Sequence, residues 1–105
     1  MEITREKIIE VLYESIGELN ELRGKDEQLG KSPQTALLGD GAGLDSLGFV
    51  NFVSLAEEKI QDRFGKSLML SDATEKPGVR DPFATVGTLA EYIELALTDR
   101  LASWR

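Results

Sequence analysis

Gly43-Leu44-Asp45-Ser46-Leu47-Gly48-Phe49-Val50-Asn51-Phe52-Val53 closes a glycine-rich loop and opens an amphipathic helix. A helix start leaves backbone N–H groups without intrahelical partners, and an Asp at the boundary accepts one of them. Asp45 therefore reads as the N-cap, and Ser46 falls on the first turn beside an exposed loop. Downstream, Leu47, Val50, Val53, Ala56, Ile60 and Phe64 recur at steps of three and four. That spacing predicts a helix from Asp45 or Ser46 to Phe64 with this stripe buried, and with Phe49 and Phe52 off its centre. Gly65 supplies the stop.

Before this helix, residues 4–22 show the same period. Ile8, Val11, Leu12, Ile16 and Leu19 share one face, Thr4 is the expected cap, and Ile3 with Ile8 forms a hydrophobic staple. Gly24 is the expected stop, and the opposite face, alternating Glu with Lys and Arg, reads as solvated. Residues 23–43 form a first loop that is long for a compact domain. Ala36-Leu37-Leu38 is its expected anchor to the core, with a short helical turn as one form it can take.

After Gly65, Leu68-Met69-Leu70 reads as a strand or a buried tether. Ser71 is placed to cap a short helix that Pro77-Gly78 stops. The last helix begins after Thr85 and buries Val86, Leu89, Ala90, Ile93, Ala96, Leu97 and Leu101, with Trp104 near its end. Three long helices and one short one, joined by long loops, predict an all-α fold: a small four-helix bundle. The 105 residues make one domain, 1–105.

Composition excludes several functions. The formal net charge of −7 repels a phosphate backbone, so no nucleic acid is expected and partners should carry basic patches. The charged opening, Met1-Glu2-Ile3-Thr4-Arg5-Glu6-Lys7, lacks an apolar leader, and no apolar run is long enough for membrane insertion. A cytoplasmic monomer is expected. With neither histidine nor cysteine in the chain, Ser46 has no imidazole base, which disfavours a hydrolase and leaves no expected catalytic residue. Gly30-Lys31-Ser32 and Gly65-Lys66-Ser67 lack the upstream glycine of a phosphate-binding loop, and Gly39-x-Gly41-x-Gly43 has the wrong spacing. Asp40 and Asp45 are too few to hold a metal, and Glu57 and Glu58 diverge around their helix.

Asp-Ser before an apolar stripe is by itself an ordinary helix cap. Here Gly-Leu-Asp-Ser-Leu opens the second helix of a small acidic bundle, after a long loop. The tail Phe83-Ala84-Thr85-Val86-Gly87-Thr88-Leu89-Ala90-Glu91-Tyr92-Ile93 completes the pattern. From about Ile8 to Leu97 the chain resembles the acyl carrier protein family, which includes peptidyl carrier domains.

The resemblance implies a four-helix bundle of the acyl-carrier type. It implies that Ser46 carries 4′-phosphopantetheine, donated by coenzyme A through a phosphopantetheinyl transferase. Asp45 would both cap the helix and serve transferase recognition. The arm's thiol would hold an acyl or aminoacyl group as a thioester, presented to acyl-loading and acyl-transferring enzymes. Leu47, Phe49, Glu57 and Glu58 are the expected partner-docking residues. Gly48 and Asn51 stand where fatty-acid carriers bear acidic side chains, which points to a specialised pathway. An aminoacyl carrier of nonribosomal type and an unmodified helical interaction module are the alternatives. If cargo enters the bundle, Val50, Val53, Ala56, Leu68 and Leu89 should line its pocket; Phe49 and Phe52 would crowd its mouth and favour short or polar cargo.

Overall fold

The computed structural model describes residues 2–25, 28–37, 43–70 and 81–100, without the side chain of Ser46. Among them the chain is all-α: α1 (Arg5–Glu21), α2 (Ser46–Phe64) and α3 (Val86–Leu97), with no named strand. The helices α2 and α3 both pack on α1. The expected short helix after Ser71, Leu38, Leu101 and Trp104 lie outside the described residues.

Helix α1 follows its sequence pattern. The Thr4 hydroxyl accepts the Lys7 N–H at 3.3 Å, and Ile3 packs partly buried against the core that contains Ile8. Ile8, Val11, Leu12, Ile16 and Leu19 are buried, and Ser15 joins them by donating its hydroxyl to the Val11 carbonyl at 3.0 Å. That bond satisfies the hydroxyl inside the apolar face. The end differs from expectation. Leu22 donates to the Leu19 carbonyl at 3.0 Å and Arg23 to the Asn20 carbonyl at 3.1 Å. This tightened turn finishes the helix before Gly24, so no left-handed glycine is needed there.

Helix α2 is bounded as expected but rotated. Gly65 ends it at φ 68°, a left-handed conformation that glycine adopts without a Cβ clash, and donates to the Gln61 carbonyl at 2.9 Å. The buried face, however, is Phe52, Ala56 and Ile60, with Phe49, Val53, Leu55 and Phe64 partly buried beside it. Val50, expected in the core, is 57% exposed and Leu47 70%, whereas Phe52, expected off-centre, is 0% exposed. The two faces compete for one core. Aromatic rings remove more area from water than Leu or Val, so burial of the phenylalanines wins.

The α1 face expected to be solvated faces α2 along one edge. Arg63 pairs with Glu10 at 3.3 Å and Glu14 at 2.7 Å, and Lys59 with Glu18 at 2.8 Å. Increasing numbers on α1 meet decreasing numbers on α2, so the two helices run antiparallel. Each pair joins an exposed carboxylate to a partly covered base and contributes roughly 0.2–1 kcal/mol. The hydrogen bond from Lys59 to Glu18 holds the Lys59 ammonium above its ordinary pKa against the opposing effect of burial, with Glu14 and Glu58 adding attraction.

Both long connections are pinned. In the first, the Asn20 side-chain amide makes a reciprocal pair with the Leu29 backbone, donating at 3.0 Å and accepting at 2.8 Å. Leu37 is fully buried and donates to the Ala84 carbonyl at 3.1 Å, while Val86 donates to the Thr35 carbonyl at 3.0 Å. The anchor is thus an extended antiparallel bridge between Ala36 and Thr85, not a helical turn. In the second, Leu68-Met69-Leu70 is a tether rather than a strand. Leu70 is buried, and its N–H donates to Glu57 Oε2 at 2.6 Å.

Helix α3 starts with a capping box, the Thr85 and Thr88 hydroxyls each accepting the other residue's N–H, at 3.1 and 3.0 Å. Val86, Leu89, Ala90, Ile93 and Leu97 are buried as expected, and Tyr92 and Leu95 join them. At its other end the Lys66 ammonium donates to the Leu97 carbonyl at 2.9 Å, a cation at the negative end of the helix dipole.

Candidate functional site

The start of α2 is built from two separate pieces of chain, residues 43–48 and the end of α1. Leu44 is buried and fixes the incoming loop. From the end of α1, Arg23 donates from Nη2 to the Gly43 carbonyl at 2.7 Å, which ties that loop to the first helix. Asp45 adopts extended backbone and caps α2, its Oδ1 accepting the Gly48 N–H at 2.7 Å. Ser46 is the first helical residue.

Gly48 has a local reason. A Cβ there would stand 3.0 Å from Asp45 Oδ1, 3.2 Å from Leu44 Cδ2 and 3.3 Å from Arg23 Nη1. The cap, the loop anchor and the guanidinium therefore converge on position 48, and glycine lets them close. The result is a helix N-terminus, with its partial positive charge, flanked by a guanidinium and by the capping carboxylate. Such a terminus suits a phosphate, which meets backbone N–H groups and a favourable dipole. The residues present thus fit a phosphodiester at Ser46.

The expected docking residues separate. Leu47 and Val50 are exposed apolar side chains on the first two turns, and Glu58 is exposed farther along. Phe49, expected off the centre of the buried stripe and among the docking residues, is half-buried. Its ring meets that of Phe83 edge to face, with centroids 5.0 Å apart and planes at 86°. Glu57 is half-buried and occupied by the Leu70 N–H, so its first task is structural. Of the expected pocket residues, Ala56 and Leu89 are fully buried and Val53 and Leu68 half-buried, whereas Val50 points to solvent.

Arg23 and Phe83 were not among the sequence candidates, because each reaches α2 from a distant part of the chain. Periodicity carries no signal for such contacts. The isolated glycine at 48, inside an apolar period, was the one local hint of a close approach.

Among the described residues no group of three or more acidic side chains is placed to hold a metal ion, and no helix is long and apolar enough to cross a membrane. A cleft of about 320 Å³ between α1 and α2 is lined by Val11, Glu14, Lys59, Asp62 and Arg63. It lies more than three turns along α2 from Ser46. No family model, curated protein or solved structure matches this chain.

Proposed function

We propose that the chain is an acyl carrier whose Ser46 receives 4′-phosphopantetheine from coenzyme A, and that its complete fold is the four-helix carrier bundle. The observation that carries this reading is Asp45-Ser46-Leu47 at the start of α2. There Asp45 caps the helix, Arg23 flanks it, and Leu47 and Val50 are exposed beside the attachment point. In the transfer, the Ser46 oxygen bonds to the pantetheine-side phosphorus as the pyrophosphate P–O bond breaks. Adenosine 3′,5′-bisphosphate leaves, and the hydroxyl proton passes to a base of the transferase. The positive end of the α2 dipole would favour the resulting anionic diester. The bound arm supplies a thiol for thioester formation.

The carrier itself catalyses nothing. Tethering keeps the acyl or aminoacyl group at high effective concentration for each partner in turn. Partners with basic patches and an apolar socket suit an acidic surface that exposes Leu47 and Val50. A monomer in the cytoplasm, serving a specialised pathway, is the setting this reading expects.

The test is intact-mass measurement after incubation with coenzyme A, Mg²⁺ and a broad-specificity transferase. One phosphopantetheinyl group should add to the wild type and none to Ser46→Ala, with both remaining helical by circular dichroism. An unmodified wild type beside a modified control carrier would refute the proposal and favour an interaction module.

A further inference from the structure

We infer that the Phe49–Phe83 pair, backed by Phe52, closes the core beneath Ser46. The carried group then stays outside the bundle, and the cargo class is short or polar acyl groups, aminoacyl included, rather than long saturated chains. This rests on Ser46 bearing the arm. Phe49 lies three residues beyond Ser46, about 4.5 Å along the helix axis, so it is one turn from the attachment point. Its ring abuts Phe83, which is almost wholly buried. A turn just before α3 sets Phe83 in place: Asp81 Oδ1 accepts the Phe83 N–H at 2.9 Å and the Asp81 carbonyl accepts the Ala84 N–H at 3.3 Å. Phe52, fully buried, fills the next layer.

Among the described residues two seams border the path of an apolar chain leaving Ser46 for the core, and both are fastened. Between α1 and α2 the fasteners are Arg23 on the Gly43 carbonyl and, farther along, Lys59 on Glu18. Between α2 and the chain leading to α3 they are the aromatic pair and the Glu57 bond that holds Leu70 inside. Entry would require parting the edge-to-face rings and displacing the packed side chains around Phe52, and the first few methylenes recover little of that loss. A short or polar group loses nothing by remaining in water. Sequence placed both Phe49 and Phe52 at the mouth of a pocket; the structure gives the mouth to Phe49 with Phe83 and the interior to Phe52.

The test uses the full chain loaded by the transferase from acetyl-, butyryl-, hexanoyl- and octanoyl-coenzyme A. Single mass addition at Ser46 is checked first, and its failure would sink the carrier assignment rather than this inference. For the loaded proteins, melting temperature and the rate of thioester cleavage by hydroxylamine are then measured. In the wild type both should be independent of chain length, because a chain left in water neither stabilises the fold nor shields the thioester. In Phe49→Ala, or in Phe49→Leu if the alanine variant does not fold, melting temperature should rise with chain length and cleavage should slow. A wild type that melts progressively higher from acetyl to octanoyl overturns the exclusion. Flat responses in both wild type and variant overturn the assignment of exclusion to the aromatic pair.

Discussion

Replacing Phe52 and Val50 in turn tests which face of α2 is the inside, and hence which face partners can touch. Phe52 is fully buried. A phenylalanine removes roughly 150–250 Å² from water, which at about 25 cal/mol/Å² amounts to about 4–6 kcal/mol. Alanine keeps a small part of that, and measured Phe→Ala costs of about 3–5 kcal/mol agree. A domain of this size has a total stability of roughly 5–15 kcal/mol, so Phe52→Ala removes a large fraction of it. The melting temperature should fall by more than about 12 °C, at roughly 4 °C or more per kcal/mol. Val50 is 57% exposed, so Val50→Ala should change stability by less than about 0.5 kcal/mol. Val50→Glu is the sharper variant, because a carboxylate is harmless in water and very costly in a core. Urea unfolding followed by far-UV circular dichroism reads all three. An unfolded Val50→Glu beside a near-neutral Phe52→Ala would show that Leu47 and Val50 face inward, and the rotation of α2 described above would be wrong.

Glu57→Ala should cost about 1–2 kcal/mol, because the buried Leu70 N–H loses its acceptor. Glu57→Gln, which retains an oxygen, should recover most of that, and equal losses in the two variants would count against the tether. Glu58→Lys, on an exposed position, should cost less than about 0.5 kcal/mol, from its lost attraction to Lys59, while weakening binding to a basic partner most at low salt, read by titration at two ionic strengths. Lys59 has its pKa raised above 10.5, so the stability it confers is complete below that pH and is lost as pH rises through the higher folded-state value. Glu18→Gln removes the largest cause and should flatten this alkaline loss of melting temperature; an unaltered alkaline slope would discount the pair. Asp99 sits at φ 57° and closes α3 with Arg100 donating to the Leu95 carbonyl at 2.7 Å. Asp99→Gly relieves the left-handed residue and should gain up to about 1 kcal/mol, whereas a loss would mean that the Asp99 side chain itself stabilises the turn.

The sequence by itself determined where the three described helices begin and, for α2, where it ends. Thr4, Asp45 and Thr85 were legible as caps, and Gly65 as a stop, because capping depends on one side chain and the few residues after it. The stripes of α1 and α3 were legible for a similar reason: each has one face much more apolar than the rest. Asp45-Ser46-Leu47 likewise located the candidate site at a helix start. Helix α2 carries two apolar faces, Leu47 with Val50 and Phe49 with Phe52, and its period fits either. Only the tertiary structure chose between them, when Phe83, from the turn before α3, met Phe49. The first loop's bridge to Thr85, the Arg23 tie to Gly43 and the capture of Leu70 by Glu57 were decided there too. Each joins residues that no period in the sequence connects, and each forms only once burial of the shared core has brought the distant segments together.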